Sequence, residues 1–461
     1  MSASITLEKP LASTARIGWF LVSLGALFRC VSFVFSANSG GDASARVSLT
    51  ALWLQHPGLK FIFDTYPPGH FWLIGLFAQA FPDVTFAGRF LSLVLGIGSL
   101  YFVWKLTAEL YGEWAGIFSL AGFAFYTMHI GYSTTSSAEV SYAFFMLAAL
   151  YLFFSYYTIS PSLGRLAVAG IALSVAESMR YEAWILCFGL GLACLWLSWQ
   201  PENSGSRLSI GAILVFACTA GAWPIGWMIY CWRRFGDPFY QITDTNRRVA
   251  ILLMKQPHSH LYEVALIPAA LLLSLSPFTI LAAAYGLPQA LKTRARMAFT
   301  ILTFYFAAVQ LSEIARGKVI GVARYSITLG FFLAVLSGVG FDRIGDRIWP
   351  GRRTRQFVVV LVLLELRKQH LQRRLRVTYQ PEIKFRATSE LLPAQIDLRD
   401  LRLFWIKLLI GKIGADHEQH FAIHHRVVTG GKSEQTSHAD VERIVVLDEF
   451  LAAQCVDDRR V

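Results

Sequence analysis

The chain has 461 residues, 55% of them hydrophobic and 16% charged, with a formal net charge of +12 and a mean hydropathy of +0.47. An ordinary soluble domain carries about 25% charged residues, and several apolar runs here reach bilayer length, so the class is a polytopic membrane protein. The positive charge does not mark a nucleic-acid binder. Lys and Arg lie in the loops between apolar runs, where they set topology and meet lipid head groups.

The first apolar run, 16–37, is interrupted by Arg29 and is too long for a cleaved leader, so it reads as an uncleaved first span. A polar segment follows, "SANSGGDASARVSLTALWLQHPGLKFIFDTYPPGH". In it Asp42 comes after Gly40-Gly41, Arg46 lies one helical turn on, "VSLTALWLQ" is amphipathic, and Asp64 precedes Tyr66-Pro67-Pro68-Gly69. The two prolines stiffen the backbone, which predicts a rigid ledge beside a carboxylate. "GHFWLIGLFAQAF" then rises only about 20 Å as a helix, short of a hydrocarbon core of ~30 Å. It is predicted to be re-entrant or to lie at the interface, with Trp72 at head-group level.

Further spans are predicted at 88–110, 114–131, 138–158, 163–177, 183–199, 208–231, 261–287, 297–313 and 325–341, ten with the first. The stub Phe357–Leu366 is too short to cross. With the N-terminus inside, the basic loops Leu291–Arg296 and Asp342–Arg355 face the cytoplasm, as the positive-inside rule asks. Loops 38–87, 132–137, 178–182, 232–260 and 314–324 then face outward. Residues 1–366 form the membrane domain, and 367–461 an atypical polar, basic tail. The tail reads either as a cytosolic appendage or as the product of a frame change in the coding sequence. Its histidines (His417, His420, His424, His425) have no convincing core around them and are not read as a metal site. Cys30, Cys187, Cys194, Cys218 and Cys231 lie in or beside apolar runs with no CxxC pair, and read as small packing residues.

The outward loops collect ionisable residues, which are costly at span ends unless paired or used. Glu139 opens a span in "TTSSAEVSYAFF"; Glu177, Arg180 and Glu182 share "ESMRYEAW"; Lys318, Arg324 and Tyr325 share "ARGKVIGVARYSITL". Arg234, Arg247 and Arg248 lie in 232–260. Arg180 with Glu177 or Glu182 can be a simple ion pair. Outward arginines can meet phospholipid or hold an anionic group such as a phosphate, for which Arg is well suited. There is no P-loop and no dinucleotide fingerprint.

In this order the segments resemble the GT-C glycosyltransferases that use polyprenyl-phosphate sugars, above all the family of protein O-mannosyltransferases and lipid A aminoarabinose transferases. "GGDASARV" resembles the first-loop Asp motif, "DTYPPGHFWLIG" the Pro-Pro segment, "FAGRFLSLVLGIGSLYFVWKLTAELYG" the Arg-led second span, and "TTSSAEVSYAFFMLAALYLF" the second acidic motif, with Glu139 where many members have Asp. "LSVAESMRYEAW", "WRRFGDPFY" and "VARYSITLGFFLAVLSGV" are similar to other recurrent stretches, and the tail lies outside the likeness.

The resemblance implies an all-α GT-C bundle of about ten transmembrane helices with a helical first outer loop. It implies an inverting sugar transfer at the outer, periplasmic face of a plasma membrane. The partners would be a polyprenyl-phosphate sugar, a lipid, glycan or protein acceptor, and the bilayer. Asp42 would be the catalytic carboxylate, with Glu139 beside it. Arg46, Tyr66, Arg180, Glu182, Arg234, Arg247, Arg248, Lys318, Arg324 and Tyr325 would bind substrate. A single acidic residue at the motif, without an adjacent Glu or a DxD, speaks against a metal-bound pyrophosphate donor; no cofactor is indicated and a divalent metal is left open. Two other classes compete. A transporter or flippase would place charges near the midplane or break helices in corresponding halves, and the halves share no motifs. An inactive relative would account for the odd tail.

Overall fold

A computed structural model describes residues 12–38, 41–59, 63, 66–159, 161–199, 209–255, 260–318 and 323–348. The stub at 357–366, the tail, Gly40 and Asp64 lie outside them. The described residues form helices and connecting turns with no strand. In chain order they are α1 (Ala12–Phe35), α2 (Gly41–Gln55), α3 (Gly69–Ala78), α4 (Val84–Tyr111), α5 (Glu113–Ala124), α6 (Thr127–Tyr132), α7 (Ala138–Thr158) and α8 (Leu163–Glu177). There follow α9 (Glu182–Ser198), α10 (Ile210–Phe235), α11 (Tyr240–Lys255), α12 (His260–Leu275), α13 (Pro277–Ala290), α14 (Arg294–Ala315) and α15 (Ser326–Ile348).

Local chemistry sets these boundaries. Asp83 caps α4 by accepting from the Thr85 N–H at 2.8 Å, and Thr293 caps α14 through the Arg296 N–H. Gly112, at φ +111°, breaks α4 from α5, and Gly236, in the left-handed region at φ +75°, ends α10. The run expected as one span over 261–287 is two helices, α12 and α13, meeting at 103°. Ser276 adopts φ +101° there and Pro277 starts α13, so a straight helix is ruled out, while Pro268 is held inside α12. The expected span 114–131 is likewise interrupted between α5 and α6.

Among the described residues six helices (α1, α4, α7, α10, α14 and α15) are long and apolar enough to cross a bilayer, or seven if α12 and α13 form one bent span. At the other expected spans, α5, α8 and α9 have 12, 15 and 17 residues. Fifteen residues rise only about 22 Å, short of the hydrocarbon core.

Burial sorts the crossing helices. α7 and α15 are the most enclosed, with 78% of their apolar windows buried, against 28% for α1 and 17% for α10. Large apolar side chains on the outer helices, among them Phe20, Phe35, Ile210 and Leu281, are exposed, as a lipid-facing surface requires. Small residues let backbones approach: a Cβ on Gly340 of α15 would stand 1.8 Å from the Ala282 carbonyl oxygen of α13. The two most enclosed helices both begin at the same face, and the candidate site is built on their first turns.

Candidate functional site

α2 begins with Gly41-Asp42, and its first turns place Asp42 and Arg46 one above the other. The Tyr-Pro-Pro-Gly ledge arrives beside them. Gly69 donates its N–H to the Ser178 carbonyl at 2.7 Å, and a Cβ there would stand 1.9 Å from the Ser178 hydroxyl oxygen. Glycine at 69 thus lets the first loop dock on the turn that carries Arg180. The docking presents Tyr66, whose hydroxyl donates to Asp42 Oδ1 at 3.0 Å and whose ring covers the Arg46 guanidinium at 4.5 Å. Arg46 also faces the Phe71 ring at 5.3 Å, and its Nε and Nη1 are buried without hydrogen-bond partners.

The second half of the site comes from α7, the α8–α9 turn and the start of α15. Arg180 donates to Glu139 Oε1 at 2.5 Å and to Glu182 Oε1 from Nη2 at 2.5 Å and Nε at 3.0 Å. Arg324, in the turn before α15, pairs with Asp42 Oδ2 and brings Nε to 3.8 Å from Glu139 Oε1. Gln310 holds this turn by donating to the Tyr325 carbonyl at 2.8 Å, and the Tyr126 hydroxyl donates to that of Ser326 at 3.3 Å. Glu139, Tyr142, Arg180, Glu182, Arg324 and Tyr325 line one small pocket with Ile327 and Thr328.

The electrostatics follow from burial and pairing. Desolvation works against the Arg180 charge, but Glu182 and then Glu139 outweigh it and hold the guanidinium well above its ordinary value. Arg324 behaves alike: burial opposes its charge, and Asp42, with Tyr325 and Glu139, more than compensates. In Arg46 burial prevails and pushes the group down, despite Asp42 and Glu139. Burial raises the Tyr66 hydroxyl, and Asp42 adds to it, so the phenol keeps its proton as a donor.

Eight of the expected site residues, Asp42, Arg46, Tyr66, Glu139, Arg180, Glu182, Arg324 and Tyr325, therefore meet in one network. Of these, Glu139, Arg180, Glu182, Arg324 and Tyr325 line the pocket and Asp42, Arg46 and Tyr66 join it through Arg324 and Asp42, whereas the other four expected residues lie elsewhere. Arg247 and Lys318 are exposed, Arg234 is exposed with Tyr230 one turn back, and Arg248 pairs with Asp244 at 2.9 Å on α11. Arg234 lies in the last turn of α10, Arg247 and Arg248 lie on α11 and Lys318 in the turn after α14, and charge alone does not bring them to the carboxylates. Arg180 pairs with Glu182 and Glu139, not with Glu177.

Several contributors were not anticipated. Arg89 of α4 donates to the Phe33 and Ser36 carbonyls at 2.6 and 2.7 Å and to the Thr134 carbonyl at 2.7 Å. Asn38 accepts from the Ser136 N–H at 2.8 Å. Together they tie the strand of chain leading to Asp42 to the one leading to Glu139. His70 packs beneath, with Nε2 at 3.0 Å from the Ser136 carbonyl. The Tyr142 hydroxyl accepts from Thr328 at 3.4 Å. No group of three His, Cys, Asp or Glu side chains among the described residues is arranged to hold a metal ion.

The model of the dolichyl-phosphate-mannose-protein mannosyltransferase family matches residues 65–224, a segment that includes Tyr66, Glu139, Arg180 and Glu182. The fold is similar to that of ArnT from Cupriavidus metallidurans bound to undecaprenyl phosphate, with a TM-score of 0.53 at 14% identity over 73% of this chain and 62% of that one. Weaker likenesses join it to the oligosaccharyltransferase of Archaeoglobus fulgidus (TM-score 0.47, 15% identity, 76% of this chain and 53% of that one). The protein O-mannosyltransferase complex of S. cerevisiae bound to its sugar donor gives a TM-score of 0.40 at 18% identity, over 50% and 34%. The chain thus spans about half to three-fifths of the length of the first two structures. Comparison with curated sequences gave no match.

Proposed function

We propose that this chain, a membrane protein with the fold of the GT-C glycosyltransferases, moves a sugar from a polyprenyl-phosphate donor to a hydroxyl or amine acceptor at the outer face of a plasma membrane. The observation that carries the reading is Asp42: a part-exposed carboxylate held between a phenol and a guanidinium, at the surface end of the most enclosed helices. Proton acceptor and phosphate-binding cations thus stand side by side.

In this reading the acceptor oxygen or nitrogen attacks the anomeric carbon from the side opposite the phosphate. Its proton passes to Asp42. The bond from the anomeric carbon to the phosphate oxygen breaks, and the polyprenyl phosphate leaves with the bonding pair, so the sugar inverts. The leaving group needs charge stabilisation more than a proton, and Arg324, backed by Arg180 and Arg46, supplies positive charge at that point. Glu139 and Glu182 hold Arg180 in place. The polyprenyl chain stays among the spans, so the donor needs no soluble nucleotide-binding domain.

The test is transfer from radiolabelled polyprenyl-phosphate sugars in membranes holding equal amounts of wild-type or Asp42→Asn protein. Loss of a general base is expected to slow transfer by at least about 10²-fold. Equal transfer by both proteins removes Asp42 from the mechanism.

A further inference from the structure

Three carboxylates and three guanidiniums meet in the site: Asp42, Glu139 and Glu182 against Arg46, Arg180 and Arg324. Their formal charges cancel. A phosphodiester adds a negative charge to a site that is already balanced, and an uncompensated charge in a buried setting is costly. One carboxylate–guanidinium pair has to give way.

The geometry selects which. Arg180 is 9% exposed and bridges two carboxylates through three hydrogen bonds, so moving it would strand Glu139, itself 2% exposed. Arg46 is 2% exposed and stacked on two rings. Arg324 and Asp42 are 27% and 22% exposed and hold each other across the mouth of the site. The Arg324 Nε is buried with no hydrogen-bond partner. Asp42, meanwhile, has both oxygens engaged, Oδ1 by Tyr66 and Oδ2 by Arg324. The pair that can open without uncovering a buried charge is also the pair that occupies the base.

We propose that Arg324 is an exchangeable cation: it holds Asp42 in the free protein, and the donor phosphate takes it over and so releases Oδ2 of Asp42 for the acceptor. The inference rests on the transferase reading above and adds an order to it. Donor binds first, and an acceptor reaching donor-free protein finds the base engaged. After transfer Asp42 holds the acceptor's proton and the polyprenyl phosphate holds Arg324. Once the lipid leaves and the proton passes to water, the ion pair closes again.

Binding of polyprenyl phosphate, the sugar-free product, to the purified full chain in detergent reads this exchange without catalysis. Wild type, Asp42→Asn, Arg324→Gln and the double variant form a cycle, each protein first shown monodisperse. Asp42→Asn should bind about fivefold tighter than wild type, because Arg324 no longer leaves a partner. Arg324→Gln should bind more weakly, and adding Asp42→Asn to it should bring no gain. If Arg324→Gln is not recovered folded, Arg324→Lys takes its place, and the gain from Asp42→Asn should shrink there. An equal gain in both backgrounds means that Asp42 repels the phosphate through space, which overturns the exchange and leaves the transferase reading standing. No binding of polyprenyl phosphate by any of the proteins defeats the transferase reading, and the exchange with it.

Discussion

Arg180→Met removes the cation at the buried centre of the site. Arg180 gives Glu139 its 2.5 Å hydrogen bond, and without it the nearest remaining cation atom is Arg324 Nε at 3.8 Å. Glu139 is 2% exposed, so water cannot take over the lost partner. Breaking a buried pair from one side costs about 3–5 kcal/mol. Glu182, at 16% exposure, adds less because solvent reaches it. The assay is thermal unfolding of the purified chain in detergent, where 3 kcal/mol, against an unfolding entropy of ~2.1 cal/mol/K per residue, lowers the midpoint of a 461-residue chain by roughly 3 °C. Arg180→Met combined with Glu139→Gln removes both members of the pair and should recover more than half of the loss. A single variant within about 1 kcal/mol of wild type, or a double variant no better than the single one, refutes the claim that this bridge is a mutually dependent buried pair.

His70 gives a pH signature. Burial, then Arg46, pushes its imidazole down to about 3. A group lowered in this way contributes full stability above its unfolded value of about 6.5 and loses it as pH falls toward 3, by up to ~1.4 kcal/mol per unit. The stability gap between wild type and His70→Gln should therefore narrow from pH 7 to pH 5; a constant gap in detergent unfolding refutes it. Gly340→Ala should destabilise by about 1–3 kcal/mol, because its Cβ meets the Ala282 backbone, whereas Gly122→Ala meets nothing nearer than the Ser337 hydroxyl at 4.0 Å and should be neutral. Equal unfolding midpoints for the two variants would contradict the close approach of α13 and α15.

Much of the helical order is legible because apolar length is a local property: the expected 138–158 and 163–177 coincide with α7 and α8. Where a backbone angle decides, hydropathy is blind. Ser276 folds one apolar run into two helices although nothing in its composition changes. α11 lay unseen in an outer loop, since its polar face lowers the average that marks a span. In the site, the carboxylates and Arg180 stand out as charges in an apolar chain, but their pairing does not. Arg180 chooses Glu139 from another helix over Glu177 three residues away, and Asp42 finds Arg324 from the far end of the described chain. Arg89 reads as a span-opening charge; that it ties two loops together by their carbonyls is a fact of tertiary geometry.

Arg29 has a consequence for how the protein is made. It is fully buried in α1; its Nη1 donates to the Gly25 and Ala124 carbonyls at 3.0 and 3.2 Å and its Nη2 lies 2.9 Å from His129 Nδ1, while Nε is buried without a hydrogen-bond partner. Two of these acceptors are supplied by chain about a hundred residues downstream. At about 5–20 residues per second of synthesis, α1 waits roughly 5–20 s for them. During that interval it carries an arginine whose insertion costs at most about 2.5–3.5 kcal/mol, the figure for a helix centre. α1, at a mean hydropathy of 1.9 the most apolar of the candidate spans, thus carries that charge against its own apolar length, and gains its downstream partners only once α5 and α6 are in place.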